Sequence, residues 1–116
     1  MPKLADQTCE PCSKGGQPLS PTALAVILQE LGEWKVLDEA APKLQRQYTF
    51  KNFSAAMAFA NRIGDLAEQF DHHPSITVEW GKVTVVWWTH KINNIHQADA
   101  IMAAKTDELY VAECSQ

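Results

Sequence analysis

From Ile76 to Trp88 the chain alternates with a period of two. Ile76, Val78 and Trp80 alternate with Thr77 and Glu79, then Val83, Val85 and Trp87 with Thr84, Val86 and Trp88, and Gly81-Lys82 alone separates the runs. That period is a strand signature, and a two-residue break with glycine first is a tight hairpin turn. With Gly81-Lys82 as the loop, Trp80 faces Val83, Val78 faces Val85 and Ile76 faces Trp87 on a side that other elements must cover. The opposite side carries Thr77, Glu79, Thr84, Val86 and Trp88. Two pairs further, the same register sets His73 across from His90, and a slip of two residues still leaves both on one face. Pro74 removes a ladder donor there and is a place where a bulge can start.

The cover for this hairpin is written in the other periodicities. Ser20-Pro21 is a helix start, and Leu24, Ile27, Leu28 and Leu31 form one apolar stripe that stops at Gly32. Alternation from Trp34 to Leu37 and from Leu44 to Phe50, with a turn at Glu39 to Pro42, predicts a first hairpin. Asn52 caps a second helix with Phe53, Met57, Ala60, Ile63, Ala67 and Phe70 at helical spacing, ending by His73 because Pro74 disfavours helical geometry before it. A last helix follows Asn94, with Ile95, Ala98, Met102, Leu109 and Ala112 on one face. The expected fold is α+β, in the order α-β-β-α-β-β-α, with helices on one face of a four-stranded antiparallel sheet. Residues 1–19, with Pro2, Pro11, Pro18, Gly15 and Gly16, read as a flexible arm, leaving 20–116 as a single domain.

At 116 residues the chain supports one core. A net charge of −4 without a basic stripe argues against nucleic acid as a partner. No apolar run approaches the roughly 18 residues of a membrane span, and the start is no signal peptide, so the expected location is the cytoplasm. Cys9, Cys12 and Cys114 are an odd number and read as reduced thiols, Cys9-x-x-Cys12 being half of a zinc knuckle without its other half.

Chemistry concentrates around the histidines. His72 sits at the C-terminal end of the second helix and Glu68 lies four residues earlier, so the carboxylate and imidazole meet on one helical face. Imidazole donates or accepts a proton near neutral pH, and a carboxylate beside it fixes its tautomer. His72, His73 and His90 together make a proton-transfer site; the plainer alternative is a surface loop with an ordinary helix-end pair. Zinc is a further reading, since three histidines with Glu68, Asp71 or Asp99 supply enough ligands. Against it, His72 and His73 point differently and no His-x-x-x-His pair exists. Val86 and Trp88 on the polar sheet face suit stacking on a flat heterocycle or packing against another subunit.

Read as a pattern, Glu68-x3-His72-His73-Pro74-x5-Trp80-x9-His90-x8-Asp99 resembles the signature of the pterin-4a-carbinolamine dehydratase family. Trp34, Tyr48-x-Phe50-Lys51-Asn52-Phe53 and Thr89-His90 extend the resemblance from about Leu31 to Tyr110. The arm with Cys9-Glu10-Pro11-Cys12 and the Trp80 to Val83 turn look most like proteobacterial members. The resemblance implies three helices on one face of a four-stranded antiparallel sheet. It implies a pterin as substrate, no other cofactor and no metal. His72, His73 and His90 are then the catalytic residues, Pro74, Thr89, Lys91 and Ile92 help bind, and Glu68, Asp71 and Asp99 are supporting acids at the binding site. In this expectation His73 or His90 protonates the leaving hydroxyl, and His72, held by Glu68, manages the other proton or anchors the ring. The implied role is to recycle the cofactor of phenylalanine hydroxylase, as a homodimer or homotetramer. Mammalian relatives that act as dimerisation cofactors of a homeodomain transcription factor supply the competing expectation, a non-catalytic protein-binding or regulatory module.

Overall fold

The computed structural model describes residues 20–37, 42–89 and 94–114, the last three by backbone alone. Its elements are α1 (Pro21–Glu30), β1 (Lys35–Leu37), β2 (Lys43–Thr49), α2 (Phe53–Phe70), β3 (Ser75–Glu79), β4 (Lys82–Trp87) and α3 (Gln97–Cys114). This is the expected order and class. The arm, the first hairpin's turn up to residue 41 and residues 90–93 lie outside the described residues.

The helix starts follow from their caps. The Ser20 hydroxyl accepts the Ala23 N–H at 3.1 Å, and Asn52 Oδ1 accepts that of Ala55 at 2.8 Å, each satisfying an amide that the first turn leaves without an intrahelical partner. α1 buries Ile27, and Leu31 just beyond it is buried as well. α2 buries Ala56, Phe59, Ile63 and Ala67. Phe53 and Met57, expected on that stripe, remain 47% and 38% exposed. Ala56 and Ala67 are small enough to bring the helix close to the sheet, and Phe59 fills the space with Tyr48 and Phe50.

The strands form one antiparallel sheet in the order β1-β2-β4-β3. In the β3–β4 hairpin Val78 pairs with Val83 and Ile76 with Val85, two residues away from the expected register. The loop is Trp80-Gly81, with glycine second. Gly81 has φ 72, and a Cβ there would meet the Phe50 carbonyl oxygen at 3.1 Å. Trp80 therefore sits at the turn, 74% exposed, and not in the core. Because side chains alternate with a period of two, the two-residue offset leaves both faces unchanged. Leu44, Tyr48, Val83, Val85 and Trp87 are all buried beneath the helices.

α3 packs against α2 and the central strands β2 and β4. It begins at Gln97 and not directly after Asn94, because Asn94 still bridges Thr89, whose N–H donates to the Asn94 carbonyl at 2.9 Å. Its first turns are buried on most sides, at Ala98, Asp99, Ala100, Ile101, Met102 and Ala103, where a single stripe was expected. Small alanines let neighbours approach from several directions.

Arg46 stands on the core side of β2 between Leu44 and Tyr48, and a charge there needs a partner. Asp107 of α3 supplies it. Its carboxylate accepts from Arg46 Nη1 at 2.7 Å, Trp34 Nε1 at 3.0 Å and the Tyr48 hydroxyl at 2.5 Å. Burial, and then the negative charge of Asp107, push the Tyr48 phenol well above the ordinary tyrosine range. Among the described residues no helix is long and apolar enough to cross a membrane.

Candidate active site

α2 stops at Asp71, which takes the left-handed conformation with φ 51 and ψ 43. Its N–H donates to the Ala67 carbonyl, and so does that of His72, at 3.1 Å. These bonds close the helix and release an extended chain at His72. Helical spacing therefore no longer relates Glu68 to His72, and the expected Glu68–His72 pair does not form. Glu68 Oε2 instead holds Nε2 of His73.

His72 turns inward and is 5% exposed. Its ring lies nearly parallel to the Trp87 indole, 14° apart in plane with centroids 5.6 Å apart. Trp87 is held from behind: its Nε1 donates to the Thr106 hydroxyl at 3.2 Å, which donates to the Met102 carbonyl at 2.7 Å. His72 Nε2 lies 2.6 Å from Asp99 Oδ1. The other Asp99 oxygen accepts the Thr89 hydroxyl at 2.7 Å and the His96 N–H at 2.8 Å. Asp99 is fully buried, where a carboxylate is tolerated only with such a set of donors. Acting as acceptor, it makes Nε2 of His72 the donor and so selects the tautomer.

His73 points the other way. Its side chain is 54% exposed and that of Glu68 77% exposed, so this pair faces solvent. Asp71 is exposed and Pro74 half-buried between His73 and β3. Thr89 and Asp99 lie together in the buried cluster at His72. On the outer sheet face Val86 and Trp88 are half-buried, with Lys43 Nζ 4.6 Å from the centre of the Trp88 ring. His90, Lys91 and Ile92 lie outside the described residues, as does the expected meeting of His73 with His90. Among the described residues no three His, Cys, Asp or Glu side chains are grouped to hold a metal ion.

Two features went unread in the sequence. The Asp99–His72 pair joins residues 27 apart, and its one local hint is an acid at the third position of a helix. The Asp107 cluster was signalled by Arg46 at an inward position of an alternating strand.

The profile of the family described as pterin 4 alpha carbinolamine dehydratase matches residues 17–109. A protein of Marinobacter nauticus named "Putative pterin-4-alpha-carbinolamine dehydratase" is 47% identical over 111 residues, 95% of this chain and 100% of that one. One of the same name from Microcystis aeruginosa is 44% identical over 111 residues, 95% and 96% of the two chains. Among solved structures, the transcriptional coactivator/pterin dehydratase from Brucella melitensis superposes with a TM-score of 0.75 at 29% identity, covering 81% of this chain and 99% of that one. A pterin dehydratase-like protein described as a RuBisCO assembly factor in the alpha-carboxysome has a TM-score of 0.58 at 22% identity, covering 67% and 89%, a likeness of fold alone. The matched span contains α2, both described histidines of the junction and their two acids, and on that ground the chain belongs to the pterin-4a-carbinolamine dehydratase family.

Proposed function

We propose that this protein catalyses the dehydration of a 4a-hydroxytetrahydropterin, such as 4a-hydroxytetrahydrobiopterin, to the quinonoid dihydropterin and water. Histidines serve as acid and base, and no metal ion or other cofactor takes part. The observation that carries the reading is the pair of adjacent histidines bound to separate acids, His72 to buried Asp99 and His73 to exposed Glu68. Family membership supports it.

The reaction is a proton-balanced elimination. The 4a-hydroxyl takes a proton as the C4a–O bond breaks, N5 gives up its proton, and the electron pair left on N5 forms the C4a=N5 double bond. One acid and one base suffice, and imidazole serves as either near neutral pH. In this proposal His73, steadied by Glu68 and open to solvent, shares with His90 the delivery of a proton to the hydroxyl. His72, steadied by Asp99 and not by Glu68, handles the second proton or anchors the ring. Asp71, Pro74, Lys91 and Ile92 contribute to binding, and Thr89 supports Asp99. The proposal includes a cytoplasmic homodimer or homotetramer that recycles the pterin cofactor of phenylalanine hydroxylase.

A second reading, a non-catalytic binding or regulatory module, has one observation in its favour: Phe53 and Met57 leave apolar surface exposed at the start of α2. The two histidine–acid pairs favour the first. The test is the dehydration rate of freshly generated 4a-hydroxytetrahydropterin with metal-stripped protein and with the His73→Ala, His90→Ala double variant. A proton-transfer group contributes about 10²–10⁴-fold. Acceleration that survives chelation and collapses in the variant supports the enzyme. No acceleration by folded wild type overturns it in favour of the binding module.

A further inference from the structure

α3 starts on a histidine to which the dehydration chemistry assigns no part. His96 directly precedes Gln97, the first helical residue, and its carbonyl accepts the Asp99 N–H at 2.9 Å. Its Nδ1 accepts the Ala98 N–H at 3.0 Å, one of the amides that a helix start leaves without an intrahelical partner. Asp99 reaches back in the other direction, with Oδ2 accepting the His96 N–H at 2.8 Å. These reciprocal bonds are a variant of the capping box, with imidazole in place of the usual hydroxyl and on the second helical amide instead of the third, and with aspartate in place of glutamate. The carboxylate that closes the box is the one that holds His72 Nε2 at 2.6 Å.

We propose that His96 is a positioning residue: its imidazole caps α3 and thereby fixes the Asp99 carboxylate that orients His72. One Asp99 oxygen serves the helix start and the Thr89 hydroxyl, and the other serves His72, so the carboxylate cannot move for one without moving for all. When the Ala98 amide loses its acceptor the first turn loosens, and with it the His96 N–H that pins Oδ2. The required His96 tautomer leaves Nδ1 unprotonated, since a proton there would face the Ala98 N–H donor to donor. The chain beyond β4 brings the uncharged Thr89 to the same carboxylate, and the chain leaving α2 brings His72.

The kinetic half of the test rests on the dehydratase reading; the spectroscopic half does not. Four variants are compared, each at a temperature where circular dichroism shows it folded. His96→Ala removes the acceptor, His96→Phe keeps a ring but no acceptor, and His96→Ser and His96→Asn replace imidazole with other capping acceptors. The readouts are kcat, KM and the ¹⁵N chemical shifts of the His72 imidazole. The expected result is a fall in kcat/KM of about tenfold or more for Ala and Phe, as misplacement at a distance produces, carried by kcat where His72 moves a proton and by KM where it anchors the ring. In the same two variants the His72 ¹⁵N shifts move towards a mixture of tautomers, and Ser and Asn restore both readouts. Wild-type His72 shifts in Ala and Phe would overturn the proposal, and so would Ser and Asn variants as impaired as Ala. If folded wild type accelerates no dehydration, the functional reading fails while the His72 shifts still decide the role of His96.

Discussion

His72 and His73 are neighbours in the chain and opposites in the fold. The first has a side chain 6% exposed, stacked on Trp87 and bound to an acid without solvent contact. The second is 54% exposed and bound to an acid that is itself mostly in water. The cause is local. Asp71 ends α2 in a left-handed turn, Pro74 leads the chain into β3, and successive residues of extended backbone point to opposite faces. Two identical imidazoles thus acquire different surroundings, one held still by buried partners and the other left in contact with solvent.

The harshest way to break this contrast is to remove the buried acid. Asp99→Ala leaves three donors without their acceptor, and losing one partner of a buried pair costs about 3–5 kcal/mol, measurable by urea unfolding. A cost below about 1 kcal/mol would mean that His72 is not held as described.

A smaller effect tests whether an acid on α3 stabilises without any histidine. Tyr48→Phe removes a hydrogen bond to the Asp107 carboxylate, worth about 1.5–3 kcal/mol at neutral pH, and should leave dehydration nearly unchanged. The sign of its pH dependence follows from the raised folded-state pKa. Below about pH 10 the phenol is protonated in folded and unfolded chains alike, and its contribution is complete. Above that the unfolded chain ionises while the folded one does not, so stability falls by up to about 1.4 kcal/mol per pH unit. Unfolding curves between about pH 9 and 11 should show this slope in wild type and a shallower one in Tyr48→Phe.

The smallest effect belongs to the exposed acid. Glu68→Ala should change stability by less than about 1 kcal/mol, because its side chain is 77% exposed and such pairs are weak. Dehydration should still slow, since His73 loses the group that steadies it. Equal destabilisation by Glu68→Ala and Asp99→Ala would erase the distinction between the two pairs.

Much of the fold was legible because periodicity reports faces. Alternation from Ile76 to Trp88 put Val83, Val85 and Trp87 inward whichever loop closed the hairpin. Register was not legible, since a shift of two residues preserves every face, and the positive φ at Gly81 placed glycine second in the loop. In α2 two overlapping apolar stripes fit a helical period, and packing chose Ala56 and Phe59 over Phe53 and Met57. At the site the same division holds. The gathering of histidines and acids was visible, but their pairing depended on where α2 stops, and the turn at Asp71 exchanged the partner of Glu68 from His72 to His73. Asp99 reached His72 through tertiary packing that no local spacing encodes.

The most direct test of the central claim is the dehydration rate of His73→Ala, measured beside its unfolding free energy and corrected for the folded fraction. The account predicts a loss of about 10²–10⁴-fold in rate with stability within about 0.5 kcal/mol of wild type, as expected of an exposed proton-transfer group. A folded variant that dehydrates the pterin at the wild-type rate would contradict it.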